Sequence, residues 1–168
     1  MSRRFVMEAV MLAIYGQLLV PNRPVEYLIP YSTLLELYEL RQSGEPVVPD
    51  SDEDEHVKRK ISELISFFED SFNKKKIERA LSAPWRKSAP LPIGERVSLT
   101  IVYAVENAEF GEGFDPIETD MLLIAMKEQE PLLTDQLELV DRIIEAEIPV
   151  QAFDVEDFEF AVEDEFYL

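Results

Sequence analysis

With one histidine and no cysteine, this chain must draw most of its chemistry from its 35 Asp and Glu residues. The missing cysteine excludes disulfides, thiolate metal sites and cysteine nucleophiles. Glu53-x-x-His56 has the spacing that sets a carboxylate and an imidazole on one helix face, as in di-metal carboxylate bundles. Those bundles use the motif twice, and a lone histidine leaves a zinc site short unless carboxylates complete it. As a general base, His56 lacks a Gly-x-Ser-x-Gly partner and sits in a run of acids and bases that reads as solvated. Asp50-x-Asp52-x-Asp54 matches the opening of a calcium loop. The match then fails, because Glu55 stands where the turn needs glycine and Ile61 where a bidentate glutamate belongs. Gly111-Glu112-Gly113 lacks a third glycine and sets an acid where a phosphate would approach. Paired carboxylates remain, as acid/base couples or magnesium ligands. Among so many acids a pair carries no information without geometry, so no catalytic residue, metal ligand or cofactor is assigned from the sequence.

The acids are unevenly spread. Ser98 to Leu168 holds 20 of them against only Lys127 and Arg142, whereas residues 1–97 are close to neutral with 15 acids and 14 bases. Such a skew bears on partners and solubility more than on fold. At its end, Glu156, Asp157, Phe158, Glu159, Phe160, Glu163, Asp164, Glu165 and Phe166 interleave aromatics with acids. This pattern suits contact with a partner protein that presents a basic surface. It equally suits a last helix docked on the chain's own core, because Phe158, Val162 and Phe166 keep a helical stripe. Residues 58–96 gather 10 of the 16 basic residues around Trp85. Interleaved acids and the negative field of the whole chain disfavour nucleic-acid binding there.

The elements that would position these groups read as helices. Residues 5–20 form an apolar run ending at Pro21, too short to span a membrane as a helix. Tyr27–Tyr31 reads as a short helical turn. Thr33 and Glu36 make a capping-box pattern for a helix ending near Gly44. Acids from Asp50 lead into an apolar stripe of Val57, Ile61, Leu64, Ile65, Phe68 and Phe72, with Lys74-Lys75-Lys76 near its far end. Val97–Val105 satisfies both a strand and a helical stripe, and helix is preferred because strand partners are scarce; Val150–Phe153 is a weak one. Asp115-Pro116-Ile117-Glu118 starts a buried helix. Thr134 or Asp135 caps the next, with an inward stripe of Leu133, Leu137, Val140, Ile144 and Ile148 and a Glu138–Arg142 pair.

The expected fold is therefore mainly α: a single globular domain over residues 1–168, with six to eight helices and at most a small β element around residues 97–105. Linkers fall near residues 44–52 and 83–94, and residues 154–168 are either a last helix or an acidic tail. The expected function is a non-enzymatic, cytoplasmic binding or regulatory protein whose acidic C-terminal half contacts a partner protein. A carboxylate-based, divalent-metal-dependent hydrolase is the alternative, and nucleic-acid binding through residues 58–96 the third. No membrane partner is expected, and a homo-oligomer stays open.

Overall fold

The computed structural model describes residues 3–105 and 113–163. Its centre is a six-stranded mixed sheet, so the fold is α/β and the mainly-α expectation is wrong. The strands are β1 (Arg3–Val6), β2 (Val25–Pro30), β3 (Leu91–Pro92), β4 (Val97–Val102), β5 (Leu132–Leu133) and β6 (Ala152–Phe153), in the order β3-β4-β2-β1-β5-β6. All neighbours run parallel except the edge strand β3, which is antiparallel to β4.

Both faces of this sheet are covered, and that explains the misreading. Phe5, Tyr27, Ile29, Leu99, Ile101 and Leu133 point to one face. There they pack under α1 (Met11–Ile14), α2 (Tyr31–Gln42), α3 (Ser51–Glu69), α4 (Ser71–Ala80) and α7 (Val155–Ala161). Val6, Leu28, Val102 and Leu132 point to the other, under α5 (Pro116–Glu128) and α6 (Leu137–Glu145). A strand buried on both sides shows an unbroken apolar run without polar alternation, indistinguishable in sequence from a buried helical segment. Residues 5–20 are thus the end of a strand, one turn of α-helix and a 3₁₀ turn at Gly16–Leu19, and the expected turn at Tyr27–Tyr31 lies mostly in β2. Val97–Val105 is strand, not helix, as far as Val102: it pairs with β2, an apolar run without strand alternation, and with the two-residue β3.

Signals based on caps fare better. Asp50 accepts from the backbone N–H groups of Asp52 and Glu53 at the start of α3, so the calcium-like triplet is helix-start chemistry. Buried Asp54 accepts from the N–H groups of Val47 and Val48. Asp115 and Glu118 form a complete capping box on α5, with Pro116 at its first turn. Thr33 behaves otherwise: α2 begins at Tyr31, and the Thr33 hydroxyl donates to the Pro30 carbonyl.

Two side-chain assignments on α6 also change. Leu139 and Ile143 face the core, while Leu137 and Ile144 are 74% and 68% exposed, and Leu133 belongs to β5. Arg142 passes over Glu138 and grips Glu118 through two bonds of 2.8 Å, reaching also to the Gly113 carbonyl at 2.6 Å. A bidentate guanidinium–carboxylate contact is stronger than an exposed pair four residues apart. It ties the start of α5 to α6. Trp85 lies half-buried against α5 at a left-handed φ of 67°, its ring under the Lys127 ammonium at 4.9 Å.

Candidate functional site

In a sheet of this order the chain leaves β1 on one side to make β2 and β4, then returns to its other side for β5 and β6. Between β1 and β5 the direction of winding reverses. In open parallel sheets the loops leaving the carboxyl ends of two such strands diverge, and the gap between them is the usual ligand position. Glu8 lies two residues past the end of β1 and Asp135 two past the end of β5. Glu36 comes from the second turn of α2, which follows β2; Asp115 and Asp120 come from the start of α5. Residues scattered over more than 120 positions therefore meet at one end of the sheet.

Local contacts hold these carboxylates in place. The Ala9 N–H donates to Thr33 Oγ1 at 3.2 Å, which ties the loop after β1 to the start of α2 and brings Glu8 to Glu36. Gln136 Nε2 donates to Glu8 Oε1 at 3.1 Å, the Ser32 hydroxyl to Asp120 Oδ2 at 2.8 Å, and the Tyr15 hydroxyl to Asp135 Oδ2 at 2.9 Å. Each of the three donors is uncharged.

The electrostatics follow from burial without a counter-charge. Glu8 is only 8% exposed. Desolvation, then the Glu36 carboxylate and a hydrogen bond with it, then Asp135 and Asp115, push the Glu8 carboxyl up to about 8. Burial also raises Glu36, opposed by the hydrogen bond it accepts from Glu8. Of the two, Glu8 is the carboxyl that burial and its neighbours hold back most from ionising. Glu36 Oε1 is buried with no hydrogen-bond partner among the described residues. Burial raises Tyr15 to about 12, helped by Asp135, so it remains a neutral donor. Among the described residues no three acids, cysteines or histidines converge closely enough to hold a metal ion by themselves. A pair does suffice for magnesium, which is commonly bound through one or two carboxylates and keeps its remaining positions for water and substrate oxygens.

The residues expected to bind a partner lie elsewhere. Asp154 and Asp157 form a capping box at the start of α7, with Glu156, Glu159, Phe160 and Glu163 exposed. Phe158 is 1% exposed, stacked edge-on against Phe5 at 5.0 Å and near Tyr27 at 6.0 Å, so it is a core residue and no anchor for a partner. Asp164, Glu165 and Phe166 lie outside the described residues. Glu53 and His56 are both exposed on α3 and draw no third ligand. The basic run makes mostly local contacts: Lys58 to Asp54, Lys60 to Glu63, and Lys76 to the Pro90 carbonyl, while Lys87 reaches Glu128. No helix among the described residues is long and apolar enough to cross a membrane. No protein-family model matches the chain, and no curated protein sequence matches it either.

Proposed function

We propose that this protein is a carboxylate-based hydrolase that works with a divalent cation at the carboxyl end of its sheet. One observation carries the reading: buried Glu8 and half-buried Glu36 interact at the carboxyl end of the sheet, where every charge acting on Glu8 is negative. Such a pair ionises fully only if something positive offsets its charge. Magnesium or manganese meets that need, held by Glu8 and Glu36, with Asp120 and Asp135 on the adjoining walls. When bound, the cation supplies an acidified water and a counter-charge for a developing oxyanion. Phosphate esters suit such a site best, since their oxygens fill the positions that two carboxylates leave open.

The chain's own residues prepare the reaction. Thr33 and Gln136 orient the glutamate pair, and Tyr15 and Ser32 aim Asp135 and Asp120. With a cation bound, Glu8 would hold it as a carboxylate and no longer as a carboxylic acid, and the Oε1 of Glu36, unpartnered among the described residues, would be the oxygen left to accept a proton.

Thermal unfolding with Mg²⁺ or Mn²⁺, with and without EDTA, tests cation binding. A native-state ligand raises the melting temperature by mass action, and Glu8→Gln should remove the rise. Hydrolysis of bis-p-nitrophenyl phosphate tests the chemistry. Absence of both a chelator-sensitive shift and turnover would sink the reading.

A further inference from the structure

A second surface lies along α7, where Pro21 and Asn22 lead toward the amino end of β2. There α7 and the loop after the 3₁₀ turn enclose an open groove of about 420 Å³. Its apolar walls include Val20 and Phe160, which are 76% and 78% exposed although they face one another's groove. Its acidic rim is Glu156, Glu159 and Glu163, and no lysine or arginine lines it. Arg96 touches the groove only at its edge, donating to the Asn22 carbonyl at 2.5 Å. Glu159 accepts a long bond of 3.4 Å from Gln17, so its carboxylate stays available to a visitor.

From this geometry we infer that the groove docks a basic, amphipathic segment of a partner protein. The choice of occupant rests on charge complementarity. Two exposed apolar side chains gain by being covered, and the three carboxylates around them repel an acidic cover and favour a basic one. A segment with a leucine or phenylalanine flanked by lysines or arginines satisfies both: its apolar side chain fills the space between Val20 and Phe160, and its cations meet the rim. The buried Phe158 fixes the position of α7 beneath, so the groove is formed before the partner arrives. This surface is separate from the glutamate pair and stands or falls independently of the hydrolase reading.

The test uses a fluorescein-labelled amphipathic helix peptide of lysine and leucine, with its glutamate/leucine counterpart, followed by anisotropy at about 0.1 M salt. The basic peptide should bind and the acidic one should not. Val20→Ser with Phe160→Ser should weaken binding at least about tenfold without altering charge. Glu156→Gln with Glu159→Gln and Glu163→Gln should do the same. All five positions are exposed, so circular dichroism should report an unchanged fold. The control neutralises Glu138, Asp141 and Glu145 on α6 and should leave affinity unchanged. Equal loss in that control would reduce the effect to net charge and overturn the inference. So would binding that ignores the two serine substitutions, no binding of the basic peptide, or self-association of the protein that Phe160→Ser abolishes.

Discussion

Two sets of acids in this chain behave in opposite ways. Those of α7 are dense in sequence, exposed, and occupied with local work: Asp154 and Asp157 cap the helix, and Glu156 adds charge to its first turn. Those at the carboxyl end of the sheet are sparse in sequence and crowded in space, with Glu8 buried against half-buried Glu36, Asp115 acting on both and Asp135 on Glu8. Water screens the first set from one another. Burial denies that screening to the second set and turns carboxylates into groups that must keep a proton or recruit a cation. Charge density along a chain therefore locates solubility. Reactivity is located by convergence.

The contrast can be broken most forcefully at Phe158. Phe158→Ala should cost about 3–5 kcal/mol in urea unfolding, because it empties a site walled by Phe5 and Tyr27. Phe160→Ala, one step along the same helix, should stay within about 0.5 kcal/mol. Similar losses at both would mean that α7 is not docked in this way. Next comes activity: Glu8→Gln or Glu36→Gln should lower cation-dependent phosphodiester hydrolysis at least about 100-fold, while Glu159→Gln leaves it unchanged. Equal effects at the two sites would erase the distinction.

The response to pH is smaller and has a definite sign. The folded state holds the Glu8 proton up to about 8, whereas the unfolded chain releases it near 4.5. Between those values the folded form binds more protons, so stability is greatest below the window and falls as pH rises through it. The slope should reach at most about 1.4 kcal/mol per pH unit, read by denaturant midpoints. Glu8→Gln should flatten it, and the Glu156→Gln, Glu159→Gln and Glu163→Gln set should not. Smallest of all, Tyr15→Phe should remove one hydrogen bond to Asp135 and cost about 0.5–1.5 kcal/mol, seen as a few-fold weaker cation response.

Legibility in the sequence followed the range of the interaction. The Asp115–Glu118 capping box and the acids at the start of α3 could be read because a cap involves neighbours within four residues. The strands could not, because Phe5–Val6 and Leu28–Ile29 are apolar on both faces and the pairing that makes them strands lies some twenty residues away. Most of the site residues have another description in the sequence: Glu36 is half of a capping-box pattern, and Asp115 and Asp135 stand at helix starts, while Glu8 lies inside the apolar run of residues 5–20 and Asp120 inside a helix. A charged residue inside an otherwise unbroken apolar stretch is the one signal that could have singled out Glu8, since burying such a group is costly without a reason. Nothing in the linear chain announces that β1 is the strand at which winding reverses.

The grip of Arg142 on Glu118 has a mechanical consequence. Because Glu118 closes the capping box of α5 and Arg142 sits on α6, the supports of Asp115 and Asp135 move as one piece. Thr33 likewise yokes Glu8 to the helix that carries Glu36. Between these two jaws run the neutral side-chain hydrogen bonds of Gln136, Ser32 and Tyr15. The charged joint thus lies within one jaw, and the side-chain bonds that cross the gap are neutral.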